Sequence, residues 1–285
     1  MANIEVPAVR PLGPDDLDAA LALTRAAGWN QNADDWRFML EMGEGFGIRV
    51  ADAVVATAIA LPYDDFGWIS MVLTAAEHRR RGLATRLLHH CIARLEARGL
   101  VPGLDATPAG QAVYVKLGFR PIYGMKRFVL ERAVDAPPPP WGVAVRRVQP
   151  QDLTELAAYD APVFGADRSA LIAHLLQRRA PLAWIARGGG QIVGYCLGRD
   201  GADALQIGPV VADHAAIALG LAARAAEGAR RPIYVDCPDA QVPMVGWLGS
   251  HGAAAQRPLA RMLKARNAPF DDANRIYAFA GPELG

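Results

Sequence analysis

The chain has 285 residues, enough for two ordinary domains with good cores, and its 52% hydrophobic and 21% charged residues mark a globular protein rather than a disordered one. A formal net charge of +1 argues against a general nucleic-acid binder, whose domains carry a basic excess on one face. Cys91, Cys196 and Cys237 lack CxxC or Cys/His ligand spacing, which argues against a disulfide framework or a metal site; Met1–Glu5 carry no leader pattern, and no apolar run could span a bilayer, so a cytoplasmic protein without a membrane partner is expected.

In chain order the first half predicts strand 7–11, helices 14–27 and 33–42, strands 46–51, 54–62 and 67–74, helix 82–98, strand 100–106, helix 109–117 and strand 119–130. Gly99 and Gly118 sit where helix C-caps belong. Asp135 and Ala136 then lead into Pro137-Pro138-Pro139-Pro140, a stiff extended linker. Beyond it the pattern starts again. Val145-Arg146-Arg147-Val148-Gln149-Pro150-Gln151-Asp152-Leu153 echoes Val9-Arg10-Pro11-Leu12-Gly13-Pro14-Asp15-Asp16-Leu17, with Asp152 and Asp16 favoured near a helix start. The second half predicts strand 143–148, helices 151–158 and 168–177, strands 182–187, 191–198 and 204–211, helix 214–228, strand 232–236, helix 241–250, and strands 256–264 and 275–280. An internal duplication follows, with one domain over 1–135, a linker over 136–140 and a second domain over 141–285.

The segment from Val72 to Thr85 runs from an apolar strand through Arg79-Arg80-Arg81-Gly82 directly into an amphipathic helix. Ala84, Leu87, Leu88, Cys91, Ile92 and Leu95 recur at helical spacing, with Arg86, His89, His90, Arg94 and Glu96 on the other face. A turn entering a helix presents unpaired N–H groups backed by the positive end of the helix dipole, an arrangement that binds phosphate. Gly82 permits close approach of the backbone, Ala84 leaves room, and the three arginines supply charge. The loop is not a Walker A motif, because no Gly-Lys-Ser/Thr follows Gly82.

Arg79-x-x-Gly82-x-Ala84, followed by Ala112 and Tyr114-x-x-x-Gly118-Phe119, resembles the two motifs of the GNAT superfamily of acyl-CoA-dependent N-acyltransferases, over roughly residues 5–132. The resemblance implies an α+β protein of two tandem GNAT-like domains, each a mixed, mostly antiparallel sheet flanked by helices. It also implies an N-acetyltransferase that moves acetyl from acetyl-CoA to a primary amine of a small molecule or peptide, without a metal. The alternative is a non-catalytic acyl-CoA-binding or regulatory module. By the same resemblance, main-chain groups of Val72, Leu73 and Thr74 pair with the pantetheine arm, and Arg79, Arg80, Arg81, Gly82, Leu83, Ala84 and Thr85 hold the pyrophosphate. Tyr114 protonates the departing thiolate. Trp29 and Asn30 follow the first helix where relatives contact the acceptor, and Asp236 is a further acceptor-side candidate. The base is open, with Asp64, Asp65 and Asp236 as candidates, each of which also suits a solvated or capping role. Thr107, Pro108 and Gly110 stand where many relatives carry an asparagine. No nucleic acid is expected as a partner, and the protein is expected as a monomer or homodimer.

The second half departs from this pattern at the turn. Ala212-Asp213-His214-Ala215-Ala216-Ile217-Ala218 carries neither arginine nor glycine, and Asp213 would repel a pyrophosphate. The helix ending Trp247-Leu248-Gly249-Ser250-His251-Gly252 lacks the tyrosine. A degenerate GNAT-like repeat without cofactor binding is expected.

Overall fold

The computed structural model describes residues 7–132 and 134–285, so the expectation placed on Met1–Glu5 lies outside it. The described chain forms two compact units, one reaching Leu104 together with Leu284, the other spanning Asp105–Glu283 with Gly285.

In the first unit, β1 (Val9–Pro11), α1 (Leu17–Ala26), α2 (Ala33–Met42), β2 (Glu44–Val50), β3 (Ala53–Pro62), β4 (Phe66–Thr74), α3 (Leu83–Glu96) and β5 (Val101–Ala106) follow in order, the last two residues of β5 belonging to the second unit. The sheet order is β1-β2-β3-β4-β5, antiparallel as far as β4 and parallel between β4 and β5. The apolar stripe of α3 (Leu83, Leu87, Leu88, Cys91, Ile92, Leu95) is buried and packs on β3 and β4. Each such leucine contributes about 1.5–3 kcal/mol by leaving water. Asn32 caps α2 by accepting from Asp34 and Asp35 N–H (3.0 and 3.3 Å), and Trp36 Nε1 donates to Thr24 Oγ1 (2.9 Å), tying α2 to α1.

The second unit contains α4 (Pro108–Lys116), β6 (Phe119–Leu130), β7 (Val143–Arg147), α5 (Leu153–Phe164), α6 (Ser169–Arg178), β8 (Trp184–Gly188), β9 (Gln191–Asp200), β10 (Leu205–Ala212), α7 (Ala215–Ala226), β11 (Ile233–Pro238), α8 (Val242–Ser250), β12 (Ala254–Lys264) and β13 (Ile276–Ala278). Its strand order is β12-β6-β11-β10-β9-β8-β7, with β13 added against β10. Only β10 and β11 run parallel. The α+β architecture and the repeated order of elements are those expected. β6, a strand of the first half by sequence, lies antiparallel between β11 and β12 of the second half. That pairing is why the contact units divide at Leu104/Asp105 and not at the proline run.

Two details of the helices differ from the sequence reading. The helices expected from 14 and 151 each open as a separate single turn, Pro14–Asp16 and Pro150–Asp152. There the aspartates accept the N–H of Gly13 (2.9 Å) and Gln149 (2.8 Å). The helix expected over 151–158 continues through Pro162 to Phe164. Proline costs a helix about 3 kcal/mol, but Val163 and Phe164 are fully buried beyond it and Asp160 is locked by Arg168 and Tyr195. Tertiary burial outweighs the local preference.

Candidate active site

β4 is irregular where the site begins. Thr57 of β3 lies opposite Leu73 and Ile59 opposite Ser70, so Ala58 alone spans Met71 and Val72. This bulge puts Met71 at φ 51°, and Thr57 Oγ1 donates to its carbonyl (3.0 Å). Bulges re-aim main-chain groups and cluster beside functional sites. The parallel ladder with β5 covers only Phe66–Trp68 against Val101–Gly103. Past it, residues 69–74 have β3 on one side and, among the described residues, no strand on the other. An unpaired strand edge is a row of donors and acceptors able to bind an extended ligand.

The turn after β4 gathers cationic side chains and unpaired N–H groups. Arg79 Nε donates to the Thr74 carbonyl (3.2 Å), Arg81 Nη2 donates to the Glu77 carbonyl (2.9 Å), and Arg80 sits at φ 61°. All three arginines are exposed. Gly82 is the N-cap of α3 at φ 76°, supplies no side-chain cap, and has open space where a Cβ would stand. The first helical bond is Arg86 N–H to Gly82 O (3.0 Å), so the N–H groups of Leu83, Ala84 and Thr85 have no acceptor within the helix. Thr74 Oγ1 at the end of β4 is buried without a hydrogen-bond partner.

Val72, Leu73, Thr74 and the turn to Thr85 thus lie together in the first unit. Trp29 and Asn30 belong to the same unit, just past the Gly28 cap of α1; Asn30 is buried and Trp29 partly exposed. Gln31, the next residue of the same stretch, is buried with Oε1 unpartnered. Asp64 and Asp65 are exposed.

Tyr114 stands on α4 in the second unit, its ring over Gly110 and edge-on to Phe119. Burial pushes its hydroxyl up to about 12, so the phenol keeps its proton throughout the neutral range. Asp236 is fully buried. Arg127 grips both its oxygens (2.8 and 2.6 Å), and Gln206 Nε2 donates a third bond (3.0 Å). That carboxylate is consumed by protein partners rather than turned to an acceptor.

The counterpart turn in the second half has His214 as N-cap of α7, with Asp213 accepting from Tyr159 Oη (2.9 Å) and Arg275 (2.5 Å). The parallel ladder of β10 and β11 also stops early, at Ile207/Val235. Here the gap is filled by the chain itself. β13 pairs with β10 at Val210/Ala278, Phe279 bridges to Asp236 of β11, and Gly208 leaves room where a Cβ would strike the Phe279 carbonyl. Leu248, fully buried, stands four residues before His251-Gly252 where the first half has Tyr114 four residues before Gly118.

A bulged, splayed strand running into an uncapped helix N-terminus, present twice with one copy altered, defines an acetyltransferase-type fold in duplicate. Residues 18–119 match the acetyltransferase (GNAT) family, and residues 156–278 match the acetyltransferase (GNAT) domain. The chain belongs to the GNAT superfamily and carries two of its domains in tandem. A Bacillus subtilis relative, the uncharacterized N-acetyltransferase YitH, is 23% identical over 96% of this chain and 97% of its own length. A candidate acetyltransferase from Pyrococcus horikoshii superposes with a TM-score of 0.80 at 18% identity, covering 100% of this chain and 99% of that one. A tandem GNAT protein from the clavulanic acid biosynthesis pathway gives 0.68 at 15% identity, covering 93% and 99%. These two structural likenesses speak for the fold. Among the described residues, no helix is long and apolar enough to cross a membrane, and all three cysteines are free and buried.

Proposed function

We propose that the protein transfers an acetyl group from acetyl-CoA to a primary amine of a small molecule or peptide, in the cytoplasm, with the first half as the cofactor-binding half. The observation that carries this reading is Gly82: a left-handed, side-chain-free N-cap between three exposed arginines and the open N–H groups of α3. The free edge of β4 and the unpartnered Thr74 hydroxyl suit the amide-rich pantetheine arm.

Acetyl-CoA supplies an activated acyl group as a thioester. The protein's part is mostly positioning. Leu83, Ala84 and Thr85 N–H groups and Arg79–Arg81 hold the pyrophosphate, and main-chain groups of Val72, Leu73 and Thr74 align the arm. An N–H at the β4 bulge stabilises negative charge developing on the carbonyl oxygen, an effect worth about 3 kcal/mol. Tyr114 delivers a proton to the departing sulfur. With its pKa near 12, a free phenolate would be too costly, so the phenol gives its proton to sulfur as the C–S bond breaks and regains one from the amine nitrogen, which sheds it as the C–N bond forms. Trp29 and Asn30 contact the acceptor.

An acceptor screen with acetyl-CoA, reading free thiol, tests the proposal. We expect amine-dependent thiol release from the wild type, lowered by roughly 10²-fold or more in Tyr114→Phe with little change in acetyl-CoA affinity. Tight acetyl-CoA binding with no release across amine classes would instead mean a binding module.

A further inference from the structure

We propose that Arg261, contributed by the second half of the sequence, is a positioning residue for Tyr114 of the first half, acting through Asp105. The proposal rests on the reading of Tyr114 as the proton donor. Arg261 is 1% exposed within the apolar run Leu259-Ala260-Arg261-Met262-Leu263 of β12. Its guanidinium takes both oxygens of Asp105, Nε to Oδ1 at 3.1 Å and Nη2 to Oδ2 at 3.0 Å. Nη1 donates to Asp271 (2.7 Å) and to Tyr123 Oη (3.0 Å), Tyr123 donates to Asp271 (2.5 Å), and the ring of Phe279 lies 4.1 Å beneath the cation. A planar fork held on every side fixes the direction of the carboxylate it grips, not merely its charge.

Asp105 closes β5. Two residues later Thr107 caps α4, its Oγ1 accepting from Gly110 N–H (3.3 Å), with Pro108 opening the helix. No residue of α4 is fully buried, although the Tyr114 hydroxyl at its tip is shielded from water. The orientation of the Tyr114 helix is therefore set less by core packing than by how its N-terminus is held. α8, its counterpart, buries Met244 and Leu248 completely and is fixed by its own apolar face. Arg127 grips Asp236 in a reciprocal pairing, and the two arginines each lie twenty residues after a helix N-cap, Thr107 to Arg127 and Gln241 to Arg261. Both pairs staple strands. Only the Asp105 pair leads into a helix that lacks a buried face.

The test uses the full chain carrying Asp105→Asn, which keeps the shape and loses the charge, and Arg261→Lys, which keeps the charge and loses the fork, each in wild-type and Tyr114→Phe backgrounds. In the wild-type background we expect turnover at saturating substrate to fall on the order of tenfold to a hundredfold, as sub-ångström misplacement does, with KM for acetyl-CoA within about threefold. In the Tyr114→Phe background the same substitutions should lower turnover by less than about twofold further, because the group they position is gone. Equal losses in both backgrounds, or normal turnover in folded Asp105→Asn, would overturn the positioning role; so would failure of both variants to fold, which would make the pair purely structural. Normal turnover in Tyr114→Phe alone would instead sink the acid assignment on which the proposal rests.

Discussion

The two halves solve one structural problem in opposite ways. In each, a parallel pair of strands separates after three residues, β4 from β5 and β10 from β11, and leaves a lane beside the earlier strand. Beside β10 the lane is closed by β13, which pairs with Val210 and Val211, and by Phe279 just after it, which bridges to Asp236, and the following turn is neutralised by the Asp213–Arg275 pair. Beside β4 no strand is added among the described residues, and the turn ends in Gly82 with cationic neighbours. Packing and binding compete for the same hydrogen-bonding groups. Where the chain fills its own lane it gains a strand, and where it does not it keeps a row of unpaired donors and acceptors, the row that the proposed function assigns to the cofactor.

The comparison breaks most completely if the halves are separated. A chain ending at residue 135 keeps β6 but loses β11 and β12 on either side of it, and it leaves Asp105 without Arg261. Removing one partner of a buried ion pair costs about 3–5 kcal/mol, a large share of a typical domain's stability. We expect this fragment to lack a cooperative thermal transition by circular dichroism. A sharp transition with native-like signal would mean that the pairing of β6 with β11 and β12 is dispensable.

Next in size is the asymmetry of binding. Calorimetry should give one coenzyme A per chain for the wild type and none for Gly82→Asp. Aspartate is a good N-cap and tolerates left-handed backbone better than most residues, so the variant should stay folded. Its carboxylate stands where the pyrophosphate would sit. Undiminished binding by Gly82→Asp would remove the cradle assignment.

Much of this was legible in the sequence, for physical reasons that also mark the limit. The Arg79–Gly82 turn and the α3 stripe are local, so composition and spacing expose them. The repeat is visible at Asp16 and Asp152 because both halves cap a turn with the same chemistry. The β4 bulge is not visible, since Met71 and Val72 are ordinary strand residues and the irregularity lies in their pairing. The pairing of β6 with β11 and β12 is equally silent: β6 alternates in the same way whichever neighbours it has. Arg261 did carry a signal, an arginine inside an apolar strand run, which demands a buried partner. The sequence does not say which carboxylate answers it. Asp236 could suggest an acceptor contact for the converse reason, because its partner Arg127 is 109 residues away.

The smallest expected effect separates two reasons for expecting the second half to bind no cofactor. The sequence alone suggests that Asp213 repels a pyrophosphate; the fold adds that β13 occupies the lane. Asp213→Ala removes the first cause and leaves the second. Asp213 and Arg275 are each about a third exposed, so breaking their pair should cost no more than about 1 kcal/mol and shift the melting temperature by a few degrees at most. Binding should remain at one coenzyme A per chain. The N–H groups that an arm would need along β10 are already committed: Ala212 N–H donates to the Arg275 carbonyl (3.0 Å), and β13 pairs with Val210 and Val211. A second equivalent appearing in the calorimetric titration of Asp213→Ala would show that charge alone had silenced the site, and the role assigned to β13 would fall with it.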